Sequence, residues 1–133
     1  MANIATGMQT SLLNWALNNA AVTRPTAWGI GLSLGSPTST SASEIPVGSS
    51  NVTRQTGSFA PATAVASSAT CTNSNNVTFS NLSAGSFSGL DIFDTAATAG
   101  GGLLFYGLLT TPRTTLAGDA LVIASGALTV SLF

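Results

Sequence analysis

Trp28, Ile30, Leu32 and Leu34 alternate with Gly29, Gly31 and Ser33. A period of two is the signature of a strand with its large residues on one face. The same short-strand grammar runs through most of the chain. Asn51 to Phe59 reads as a strand carrying Val52, Arg54 and Gln55. Asn76 to Ser80 and Ser88 to Asp94 read as two more, with Leu90 and Ile92 on one face of the second and Asp91 and Phe93 on the other. Gly101 to Leu109 follows a glycine-rich loop. Ala120 to Ala124 and Ala127 to Phe133, joined by Ser125-Gly126, read as a closing hairpin. Residues 35–51 read as a long surface loop around Ile45-Pro46-Val47. Residues 60–75, mostly Ala, Ser and Thr, read as irregular. This spacing predicts a mainly β fold, an antiparallel β-sandwich or jelly-roll-like domain.

One segment departs from the period of two. Across residues 5–21, Met8, Leu12 and Trp15, with Leu13, Ala16, Leu17 and Ala20, follow helical spacing. Thr6 or Thr10 is placed to cap its start, and Arg24-Pro25 to end it. The chain therefore divides into an N-terminal helix or arm, 1–24, and a β domain, 25–133. The stripe is broad enough to be buried within its own domain, covering an end or edge of a sheet. The other reading is an arm that docks on a neighbour through Leu12, Trp15 and Leu17.

Charge limits what such a chain can do. An ordinary soluble chain of this length carries about 33 charged residues. This one has 3 basic and 4 acidic residues among 133, no His and a net charge of −1. Three cations cannot neutralise a run of phosphates, so the chain is expected not to bind nucleic acid. The lack of His removes imidazole-based triads and His-ligated metal. Asp91 and Asp94 lie three apart on a strand, so they cannot pair closely as acid and base. Asp94 reads as bonding local backbone amides, and Asp119 as a turn residue before a strand. Neither an enzyme, a cofactor nor a metal is expected. Gly29-Ile-Gly31 lacks the spacing and the βαβ context of a dinucleotide site.

No apolar run reaches the ~20 residues a spanning helix needs, so no membrane partner is expected. The first residues show neither a basic stretch nor a continuous apolar one, as a secretory signal would. Synthesis in the cytoplasm is the expectation. The single cysteine, Cys71, cannot form an intrachain disulfide and reads as an unreactive small residue.

With so few ions, the exterior must be built from small polar residues; 18 Ser and 19 Thr make up more than a quarter of the chain. Hydroxyls are much easier to desolvate than ions. We read this as an exterior meant to be covered by other proteins. Glu44 and Arg54 are the charges placed to serve such contacts, Arg54 through a carboxylate across the sheet or across a subunit boundary.

Four segments carry a resemblance. They are Ala27-Trp-Gly-Ile-Gly-Leu-Ser-Leu34; Glu44-Ile with Thr53-Arg-Gln55; Leu90-Asp-Ile-Phe-Asp-Thr95 with Gly100-Gly-Gly-Leu-Leu-Phe-Tyr-Gly-Leu-Leu109; and the stretch from Ala117-Gly-Asp through Ser125-Gly-Ala-Leu to Leu132. In this order they resemble a family of small tailed-bacteriophage structural proteins, described as tail-fibre-like or head-decoration proteins. Val52 stands where that pattern has an aromatic residue. The resemblance implies a non-enzymatic virion protein. The first expectation is a capsid decoration (cement) protein, a homotrimer that binds the major capsid protein and ties neighbouring capsomers together. The alternative is a tail, baseplate or tail-fibre component that contacts the host surface.

Overall fold

Register explains how the alternating residues become one layer. The computed structural model describes residues 2–40, 53–97 and 100–132. Along the chain it contains β1 (Ala2–Ile4), α1 (Thr6–Leu17), β2 (Trp28–Ser33), β3 (Gln55–Gly57), β4 (Thr63–Val65), β5 (Ser68–Thr72) and β6 (Val77–Leu82). It continues through β7 (Gly85–Phe93), β8 (Leu103–Thr115), β9 (Asp119–Ile123) and β10 (Thr129–Leu132). Five strands form the main sheet, in the order β1-β8-β7-β2-β3, all antiparallel. Ile30 lies opposite Ile92, and Leu32 opposite Leu90. Phe105 continues the first row on β8. These residues share a face because side chains alternate along each strand.

Two smaller sheets cover that face, β6-β9 and β10-β5-β4. Val77, Phe79 and Leu82 of β6 and Ile123 of β9 join Ile30, Leu32, Phe87 and Leu90 in one buried cluster. The fold is mainly β and antiparallel, with one helix near the N-terminus, as the sequence predicts.

The small residues of β2 serve close packing on the opposite face. Ser33, Asp91 and Phe93 are buried there. The Ser33 hydroxyl donates to the Asp91 carboxylate. Pro37 comes within 3.0 Å of where a Cβ on Gly89 would stand. The Ser88 hydroxyl bonds the carbonyls of Leu34 and Gly35, both at 3.1 Å, tying the chain after β2 across β7.

Three expectations are corrected. The closing hairpin does not form: β9 pairs with β6, and β10 with β5. The turn exists, with Gly126 at φ +80° and Ala127 N–H bonded to Ala124 O at 3.0 Å. Buried Asn73 separates its two arms. Its side chain donates to Ala124 O at 2.9 Å and accepts from Leu128 N–H at 2.8 Å. Its backbone carbonyl accepts from Gly126 N–H at 2.7 Å. These are groups that a hairpin would direct across its own ladder.

Residues 60–75 are not irregular, since β4 and β5 pair from Thr63↔Thr70 to Val65↔Ser68. Thr suits a pleated, half-covered surface, and here Thr63 and Thr70 meet hydroxyl to hydroxyl at 3.4 Å.

The helix is shorter than 5–21 and stands on the surface. It ends at Leu17, and Asn19 takes a left-handed φ of +48°, a conformation Asn tolerates. Ala5 is the N-cap, with no side-chain cap; the Thr10 hydroxyl bonds Thr6 O instead. No residue of α1 is buried. Apolar residues surround the helix rather than forming one stripe, so packing against β8 covers only part of them.

Candidate interaction surface

β1 adds an edge strand to the main sheet through Ala2↔Gly107, Asn3↔Tyr106 and Ile4↔Phe105. The Ala5 amide continues the line to Leu104 O at 2.9 Å, and the Thr6 amide bonds Ser39 O at 2.9 Å. This anchors the start of α1 at one edge of the sheet. Of the predicted contact residues, Leu12 is half-buried, Trp15 is 64 % exposed and Leu17 is 82 % exposed. Leu13, exposed as well, was not singled out from sequence. It stands one turn before Leu17, so the two share a face. A helix exposed on most sides ordinarily carries charge; Thr6 to Leu17 carries none.

Arg54 lies at the opposite edge, immediately before β3. Its guanidinium sits 3.3 Å from the centroid of the Phe93 ring. It also donates to Gly100 O at 2.7 Å and Ala97 O at 3.3 Å. Asp94, at the end of β7, accepts from Gly102 N–H at 2.7 Å, while its own amide donates to Gly102 O at 3.1 Å. The carboxylate bonds a backbone amide, but that of Gly102, eight residues on, and not a local one in the Asp94-Thr95 turn as expected. Arg54 thus clasps the glycine-rich connection after β7. Glu44 falls outside the described residues, as does most of the predicted loop 35–51. The structure does not bring α1 and Arg54 together: three strands lie between their edges.

Replacing Arg54 with Ala is expected to lower stability by about 1 kcal/mol, since it removes half-exposed hydrogen bonds and a stacked cation. Cleavage between 94 and 102 under limited proteolysis should quicken. Lys at this position should recover only part of the effect, because it cannot both lie flat on the ring and reach two carbonyls.

Two clefts open between the layers. One, of about 230 Å³, is lined by Trp28, Phe59, Ile92, Phe105 and Val130, with Cys71 at its wall. The Cys71 thiol donates to Ala60 O at 2.8 Å, and desolvation raises its pKa. This favours the unreactive thiol form. The other, of about 440 Å³, lies where β8 faces the separated β9 and β10. Neither cleft was visible from strand periodicity, because both depend on which strands become neighbours.

The described carboxylates serve local structure. Asp91 meets Ser33, Asp94 meets Gly102, and Asp119 accepts from Leu116 N–H at 2.8 Å. Among the described residues no cluster of three His, Cys, Asp or Glu side chains suits a metal. No helix among them is long and apolar enough to cross a membrane.

A small layered β domain whose described carboxylates and Arg54 bond its own chain, and which exposes an uncharged helix and apolar clefts, has the features of a structural module. Comparison with known families agrees. Residues 3–131 match the family model for the podophage GP4 fiber I protein gp80, and the chain belongs to that family. It is a bacteriophage structural protein of fibre type, which places it in the virion. No curated protein matches it.

Proposed function

We propose that the protein is a tail or tail-fibre component that works by non-covalent assembly, as a homotrimer, and not by catalysis. The observation that carries this reading is the fibre-family match over almost the whole chain. The exposed, uncharged helix supports the assembly part. An apolar surface that does not fold back on its own domain lowers free energy only when a neighbour covers it. The clasped loop at the far edge of the sheet is the feature suited to an outward contact, with the host surface or with an adjoining tail protein.

The second reading is the capsid decoration protein, with the major capsid protein as its partner. The charge-poor exterior favours it equally, but the family match favours the fibre. The two differ in number and place. A decoration protein repeats at every equivalent capsid position, whereas a fibre part is present in few copies. Quantitative mass spectrometry of purified virions, read against the major capsid protein, is expected to give a low copy number. Antibody labelling in electron micrographs should fall on the tail. A high copy number with label over the head would replace the fibre reading with the decoration one.

A further inference from the structure

We propose that the smaller cleft between the layers is a binding site for a medium-chain carboxylate, whose tail enters among Trp28, Phe59, Ile92 and Phe105 and whose head meets Arg24. The inference is independent of whether the protein stands in the tail or on the head.

The cleft follows from a mismatch in side-chain size between the layers. The main sheet contributes Trp28, Ile92 and Phe105 to its lining. Phe59 meets Trp28 edge to face, with centroids 6.2 Å apart and planes at 79°. From the side of β4 and β5 come only Ala62, Ala69, Thr70 and Cys71. Rings opposed by so little bulk leave about 230 Å³ open. Close-packed interiors hold few voids larger than a water molecule, so this is more than a packing defect. An apolar cavity of about 150 Å³ stays dry and takes up benzene. By that proportion 230 Å³ accommodates about nine carbons.

The lining limits the guest to an apolar body. No acidic or basic side chain belongs to it. Its side-chain polar groups are the Thr70 hydroxyl and the Cys71 thiol, and the thiol already donates to Ala60 O. A sugar or a peptide backbone would leave most of its polar groups unbonded there.

Arg24 specifies the head. It lies four residues before Trp28, is exposed, and holds its guanidinium 5.9 Å from the centroid of that ring. Among the described residues the ring is its only partner. Arg54 differs, since it stacks on Phe93 but directs N–H groups to Ala97 O and Gly100 O. A stacked guanidinium without such bonds keeps its donor fork, which matches the two oxygens of a carboxylate. A chain lying against Trp28 therefore brings an anionic head to a cation and leaves its tail in the cleft. An amine in the same place would be repelled.

Isothermal calorimetry on the full chain tests this with octanoate and octan-1-ol, which differ in the head alone. Octanoate is expected to bind once per chain, about fivefold more tightly than the alcohol, the upper range for an exposed ion pair. R24Q should bind the two alike. A62L puts a larger side chain into the cleft from an exposed position and should weaken both ligands by about tenfold or more. Circular dichroism should show both variants folded; if A62L is not, R24Q still decides. The assignment is overturned if octanoate gives no binding heat at millimolar concentration, which would leave the cleft to a neighbouring protein. It is overturned equally if the alcohol binds wild type as tightly as the acid, if R24Q keeps the preference for the acid, or if folded A62L binds octanoate like the wild type.

Discussion

Asn73→Ala is expected to lower the stability of the domain by about 3–4 kcal/mol and its melting temperature by roughly 10–15 °C. No other amide side chain in the described fold is buried. Its nitrogen donates to Asn75 O at 2.8 Å and Ala124 O at 2.9 Å, and its oxygen accepts from Leu128 N–H at 2.8 Å. Alanine would leave these backbone groups without that partner, at about 1–3 kcal/mol each where water cannot reach them. The losses fall where β9 and β10 part, so the β6-β9 and β10-β5-β4 sheets loosen together. Asn73→Asp should be at least as harmful, since it turns an oxygen toward two carbonyls. Asn75→Ala is the comparison. Asn75 is half-buried and bonds Ser58 N–H at 2.8 Å, so about 1 kcal/mol is expected. Urea denaturation of the three variants checks the order. Equal midpoints for the Asn73→Ala and Asn75→Ala variants would remove Asn73 from its role in splitting the terminal strands.

That split marks where sequence reasoning reached and where it stopped. The alternation in β2 and β7 specifies faces, and both strands show the predicted face, because Ile30, Leu32, Leu90 and Ile92 have one way to bury together. Alternation does not name partners. Leu128, Val130 and Leu132 after Ser125-Gly126 read as the return arm of a hairpin; in the fold a distant side chain at 73 stands between the two arms, and each arm pairs with another strand. β4 and β5 escaped notice because Ala, Ser and Thr give no contrast between faces. The helix shows a related limit: spacing revealed its apolar residues, but not that Leu13 and Leu17 lack cover from their own domain. Arg54 was legible as an unusual charge in a neutral chain. Its described partners, an aromatic face and two carbonyls, were not, since no local pattern joins residue 54 to residues 93–100.

Gly29→Ala is the second large effect expected, a loss of about 2–4 kcal/mol. Gly29 lies on β2, paired with Thr56 on one side and Phe93 on the other. A methyl group there would run into the Thr95 carbonyl oxygen, far inside van der Waals contact, and stand 3.1 Å from both Ala96 Cα and Arg54 Cδ. β2 cannot retreat without breaking ladders on both sides. The segment at Thr95 must lift instead, which draws Ala97 and Gly100 away from Arg54 and uncovers Phe93. The damage combines steric strain with loss of the clasp. It should therefore exceed that of Arg54→Ala, and the double variant should lose less than the sum, because the clasp can be lost only once. Gly85→Ala provides the control. A Cβ there meets only Leu34 Cδ2, at an ordinary 3.7 Å, and should shift stability by no more than ~0.5 kcal/mol. Denaturation midpoints that fail to separate the Gly29→Ala and Gly85→Ala variants would mean that the connection after β7 does not rest on β2. The loop clasped by Arg54 would then have no fixed place from which to meet another surface.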